Sequence, residues 1–156
     1  MKSLICLLTL AFATSSFAIE TKLEGAYEIN TRSEECASAF EISVQNECLV
    51  MEYGAAAARE FCRLNKGPKT EKTVVTIKDK KYSKFTTITE ALFADVLTVS
   101  ETIALKNRYG VTVKRTTHMA TYSAAKKGLV HRESTTVFEA MNAPAYNGKK
   151  CQYKVN

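Results

Sequence analysis

Val96-Leu97-Thr98-Val99-Ser100-Glu101-Thr102-Ile103-Ala104-Leu105-Lys106, then Asn107-Arg108-Tyr109-Gly110, then Val111-Thr112-Val113-Lys114, is the stretch that decides the fold. Leu97, Val99, Glu101, Ile103 and Leu105 alternate with Thr98, Ser100, Thr102, Ala104 and Lys106. Side chains in a strand point to opposite faces with a period of two, so one face is apolar and the other wet. The pattern resumes after a four-residue turn, as two neighbouring strands of one half-buried sheet should read.

Working outward, the same Thr-, Val-, Ile-, Tyr- and Phe-rich segments recur, cut by Gly, Asn, Asp and Lys clusters. They predict strands over 25–30, 39–45, 48–53, 59–66, 72–78, 82–89, 96–106, 111–123, 129–140 and 150–155. Helical periodicity is nearly absent. Residues 55–58 and 90–95 are the two places where a helical turn competes with the strand reading. Turns are expected at Asp79-Lys80-Lys81, at Lys126-Lys127-Gly128 and at Asn147-Gly148, and Lys66-Gly67-Pro68 should end a strand.

Consecutive strands with short loops imply an all-β antiparallel up-and-down meander. Open edges are usually closed or blunted, so the expectation is a roughly eight-stranded barrel. A two-sheet β-sandwich is the alternative. The aromatics Tyr27, Phe40, Tyr53, Phe61, Phe85, Phe138 and Tyr153 are assigned to its core.

The N-terminus reads as a leader. One lysine precedes the apolar run 4–13, and Ser16-Phe17-Ala18 is a small-x-small cleavage site, so residues 1–18 are expected to be a signal peptide. That leaves 19–156, 138 residues, as one β-domain able to bury about two-thirds of its unfolded surface. Cys6 lies inside the apolar run and is not read as a lipid anchor. No later stretch approaches the ~20 apolar residues of a spanning helix, so the product is expected to be secreted or periplasmic, soluble and monomeric.

Export makes Cys36, Cys48, Cys62 and Cys151 read as two disulfides rather than as metal ligands. Cys48 and Cys62 are equidistant from Ala55, so a hairpin folding there sets them opposite each other. Cys36 is then left with Cys151, tying the loop after the first strand to the last strand.

The formal charge of +6 falls to +5 once Lys2 leaves with the leader, and it reads as spread along the chain. Lys80-Lys81, Lys126-Lys127 and Lys149-Lys150 read as solvated charge near turns. Nucleic-acid binding would need a denser basic stripe with interleaved aromatics, and none is expected.

No catalytic set emerges. The serines lack a nucleophile elbow, the glycines are single, and no cofactor motif is present, so the protein is read as a non-enzyme with no cofactor. His118 and His131 fall on adjacent strands; with Glu133 they could hold a metal only if the register sets them opposite each other, and surface histidines are the preferred reading. Arg115 falls in step with Val111, Val113, Thr117 and Met119. Strict alternation points Arg115 and Met119 into a barrel, where the guanidinium would anchor a ligand carboxylate. A β-bulge near Lys114, turning Arg115 outward, is the preferred reading.

At Leu23-Glu24-Gly25-Ala26-Tyr27 the chain opens with a Gly-x-aromatic strand, and Cys151-Gln152-Tyr153 closes it. In outline this resembles the lipocalin and calycin superfamily, and its small exported bacterial members. Tyr27 stands where lipocalins usually carry tryptophan. The resemblance implies a barrel that binds a small apolar or amphipathic ligand. The second expectation is a secreted interaction module or inhibitor that meets an extracytoplasmic protein partner through its loops.

Overall fold

The computed structural model describes residues 19–30, 35–54, 58–140 and 142–156. The leader, Cys6 and Ala55 lie outside the described residues. The strands are β1 (Gly25–Ile29), β2 (Ala39–Gln45), β3 (Cys48–Glu52), β4 (Arg59–Phe61), β5 (Lys69–Ile77), β6 (Lys80–Phe93), β7 (Val96–Lys106), β8 (Thr112–Ala125), β9 (Gly128–Glu139) and β10 (Ala145–Val155). They form one antiparallel sheet in the order β4-β3-β2-β1-β10-β9-β8-β7-β6-β5.

The all-β meander stands, but the closed eight-stranded barrel is corrected. Among the described residues there are ten strands in a single sheet, and no ladder joins its two ends. The cause lies in the β4–β5 connection. β4 has only three residues, and Lys66-Gly67-Pro68 separates it from β5, so β4 has no run of N–H and C=O groups to match the nine-residue free edge of β5. Asn65 spans the seam instead. Its side-chain amide donates to Leu92 O at 2.8 Å and accepts from Leu92 N at 3.1 Å, while its own N–H reaches Glu90 O at 2.9 Å. An amide side chain thus stands in for one strand residue along the free edge of β6.

Both disulfides are present in the expected pairing. β3 and β4 pair Leu49 with Phe61, the register symmetric about position 55, and Cys48 and Cys62 stand with Cα atoms 4.3 Å apart. Cys36 and Cys151 stand 6.0 Å apart and join segments 115 positions apart in the chain.

The core sits at one end of the sheet. Tyr27, Phe40, Ile42, Leu49, Met51 and Phe61 pack from the first four strands against Leu97, Val99, Tyr122, Leu129 and Tyr153. Phe40 is its hub, with ring centroids 4.7 Å from Tyr153, 5.4 Å from Tyr27 and 5.6 Å from Tyr53. Leu23 is fully buried, and its carbonyl accepts from the Tyr27 hydroxyl at 2.9 Å. Phe85 and Phe138 do not join this core; both lie on the opposite face of the sheet. Among the described residues, β5 contributes nothing to it, and β6 to β8 contribute only from their near ends. Beyond Val99 and Ala120 the sheet runs on as a single layer.

Several turns shift from their expected places. β5 and β6 meet at Lys78-Asp79, both at positive φ, and β6 and β7 at Ala94-Asp95, with Ala94 at φ 49°. Neither residues 90–93 nor Ala94-Asp95 are helical; residues 55–57 of the other ambiguous site lie outside the described set. Asn147-Gly148 is not a turn but lies within β10, with Gly148 opposite Ser134. A Cβ at Gly148 would meet the Tyr146 hydroxyl at 2.8 Å, so the glycine is there to let that ring lie along the strand.

Candidate functional site

The register sorts every strand residue onto one of two faces. The face that carries the core, here the inner face, continues past it through Glu101, His118 and Thr135, which pair in one row across β7, β8 and β9. One step nearer the core, Val99, Ala120, Glu133 and Lys149 form the next row, and one step further in come Leu97, Tyr122, His131 and Cys151.

His131 is 7% exposed and its ring stacks on Tyr122 with centroids 4.3 Å apart. Its Nε2 stands 3.2 Å from Glu133 Oε1, yet is not aimed to hydrogen-bond it, so this buried nitrogen has no hydrogen-bond partner among the described residues. Burial holds the His131 imidazolium well below its usual range, with Lys149 and Arg59 pushing the same way and Glu133 opposing. The Glu133 carboxylate instead pairs with Lys149 at 2.9 Å, and that ammonium also donates to Glu35 O at 2.8 Å. Burial also raises the hydroxyls: Tyr153 is pushed up to about 12, and Tyr122, 3.3 Å from the Tyr53 hydroxyl, is raised further.

Just outside lies a cleft of about 230 Å³, lined by Arg59, Val99, Glu101, His118, Glu133 and Thr135. His118 shares a 2.9 Å hydrogen bond with Thr135 Oγ1. The two histidines share a face but not a row. His131 faces Tyr122 and His118 faces Thr135, which sets the rings roughly 13 Å apart along the strands. The register that a shared metal would require is therefore not the one adopted, and no cluster of three ligating side chains occurs among the described residues.

Arg115 and Met119 share a face but stand roughly 13 Å apart along β8, and that face is the outer one, opposite Tyr122 and the core. The β8 register slips between the partners of Leu105 and Lys106, leaving Val113 as the extra residue, one position from where the bulge was expected. Arg115 is exposed and lies over the Phe138 ring at 5.7 Å, and Met119 is 44% exposed. Phe85, likewise on the outer face, has Lys106 at 4.9 Å and Lys72 at 5.6 Å from its centroid. Lys72, Phe85, Ala104, Arg115 and Phe138 are successive partners in one row across five strands.

The next row is Thr70, Thr87, Thr102, Thr117 and Thr136, an unbroken line of threonines. Thr70 and Thr87 hydroxyls lie 3.0 Å apart, and those of Thr102 and Thr117 3.2 Å apart. Two rows further on, Arg132 stands directly opposite Lys150. An open groove of about 440 Å³ has Met119, Thr121, Arg132, Ser134, Tyr146 and Lys150 among its walls, with Glu133 and Lys149, paired with each other, also lining it.

Sequence reading missed these rows because each strand supplies only one member. A line of threonines appears only when five registers are known. The expected even spread of charge is also corrected: residues 19–62 hold three basic and nine acidic residues, and residues 63–156 hold 18 and seven. Counting charge by segment would have exposed this.

No protein-family model, curated protein or solved structure matches the chain. No helix among the described residues is long and apolar enough to cross a membrane. Two disulfides within one chain fit an oxidising, extracytoplasmic environment.

Proposed function

We propose that the protein is exported and acts, as a monomer and without catalysis, as a binding module that presents the uncovered part of its sheet to an extracytoplasmic partner. The observation that carries this reading is the division of the sheet. One end is packed with aromatics and joined by two disulfides, while β5 and the far ends of β6–β9 extend beyond that core. A partner-free role leaves that extension unexplained, since a single layer gains little from burial. On this reading the sheet is an open form of the lipocalin-like barrel, its seam spanned by Asn65.

The test is partition of the purified, oxidised protein between buffer and a cell-envelope fraction. The expected result is retention by the envelope, weakened by charge substitutions on the extension and unaffected by Glu41→Gln at the packed end. No retention, or equal loss with both kinds of variant, overturns the reading.

A second reading, a small ligand held in the sheet, has one observation in its favour: the 230 Å³ cleft lined by Arg59, Glu101, His118 and Glu133. Its walls are charged, which suits a polar ligand better than an apolar one. Native mass spectrometry that finds a copurified small molecule, lost in His118→Ala, would support it over the first.

A further inference from the structure

Charge is sorted by face in the second half of the sheet. In β5 to β10 the acids Glu71, Glu90, Glu101, Glu133 and Glu139 all take inner-face positions. The outer face of the same strands carries Lys72, Lys81, Lys106, Arg115, Arg132 and Lys150, with Lys154 at the border to β1. Among the described residues of these strands no acid shares that face.

The two faces also treat their cations differently. On the inner face Lys69, Lys114 and Lys149 are held at 2.7–2.9 Å by Glu71, Glu139 and Glu133, and only Lys80 and Lys84 of its cations in these strands lack a carboxylate partner among the described residues. On the outer face Lys154 reaches Glu28 at 3.2 Å, and the other six have no carboxylate partner among the described residues. Arg132 and Lys150 moreover stand directly across from each other, and like charges in that position disfavour the pairing of their strands. An anion between them would reverse the sign of that interaction.

From this we infer that the outer face of β5–β10 binds an acidic polysaccharide, an inference that rests on the proposed binding role and names its partner. The groove beside Arg132 and Lys150, on the outer face directly behind buried His131 and Cys151, supplies the anchor, and the bound chain runs from there onto the extension. A sugar carboxylate or sulfate fits between the two cations, and the ring fits against Tyr146, which is 73% exposed. From there the threonine line offers hydroxyl donors and acceptors at each strand, ~4.8 Å apart, and leads toward Arg115, roughly 20 Å from the anchor, and Lys72, roughly 28 Å from it. Side-by-side hydroxyls match a polyhydroxylated chain. A nucleic acid would call instead for a run of free ring faces on which successive bases stack; cations already lie over Phe85 and Phe138, and the exposed rings of Tyr146 and Phe93 stand apart on different strands.

The experiment is calorimetric titration of the oxidised full mature chain with heparin and with polygalacturonate at physiological salt, with dextran, single-stranded DNA and anionic phospholipid vesicles alongside. Arg132→Glu with Lys150→Glu should weaken polysaccharide binding by at least about tenfold. Lys80→Glu with Lys84→Glu makes the same change in net charge on the inner face and should change binding less than about twofold. Tyr146→Ala should weaken polysaccharide binding while leaving the thermal midpoint in place. Equal losses from the two charge pairs would reduce the effect to net charge and overturn the inference. So would binding to DNA or vesicles that exceeds binding to both polysaccharides, or no binding to either polysaccharide. If envelope retention persists while polysaccharide binding fails, the partner class falls and the binding role stands; if both fail, both fall.

Discussion

The packed end and the extension of this sheet are made of the same strands, yet they are held together by different forces. At the packed end Leu97, Tyr122, Leu129 and Cys151 each have less than 5% of their surface exposed, and two disulfides cross-link the chain there. A few residues along the same strands, Ile103, Thr117 and Thr136 are half-exposed and depend on ladder hydrogen bonds and cross-strand neighbours. Burial is worth about 25 cal/mol per Å² and cross-strand pairs only ~0.2–1 kcal/mol each. The difference teaches that strand length here is not set by the core. Charge divides along the chain instead, the stretch through β4 being acidic and the rest basic.

Substitutions should separate the two regions in order of size. Replacing Cys36 and Cys151 by serine should cost the most, about 4–5 kcal/mol, because the bridge closes a loop of more than a hundred residues; guanidinium unfolding measures it. Leu97→Ala, in the core, should cost about 2–5 kcal/mol by the same assay, whereas Ile103→Ala, three rows away on the same strand and face, should cost less than about half as much. Asn65→Ala should cost about 1 kcal/mol and loosen the seam, seen as faster amide exchange at Leu92. Thr117→Ala, in the threonine line, should stay within about 0.5 kcal/mol.

Between pH 8 and pH 5 acid should act on the packed end through His131. Burial depresses the folded-state pKa of His131, so the unfolded chain binds the proton more readily. Stability from this residue is thus fully present above the ordinary histidine pKa of about 6.5 and declines as pH falls below it. Thermal midpoints from pH 8 to pH 5 should show that decline in the wild type and a flatter profile in His131→Gln. An unchanged slope would mean that other groups control it.

Much of the fold is legible in the chain because one face is buried wherever alternation is strict. The bounds of β2 and β7 match the sequence reading, and Cys48 finds Cys62 because hairpin geometry forces opposed positions together. What is not legible depends on contacts between distant segments. β6 runs four residues past its expected end because Ala94 accepts a positive φ that its side chain does not advertise. Gly148 reads as a turn residue until Tyr146 is seen beside it. Closure fails at β4, which the staple at Cys62 and the Lys66-Gly67-Pro68 break cut short. Strict alternation alone points Arg115 and Met119 inward, and the bulge expected near Lys114 is what turns them out: it falls at Val113 and shifts the parity of β8.

Native-state hydrogen exchange on the oxidised protein tests the division most directly. Amides of Leu97–Val99, Tyr122, His131 and Tyr153 should exchange only by global unfolding, while those of β5 and of residues 102–116 should exchange through local opening at much lower free energy. A single protection level across both regions would contradict the account.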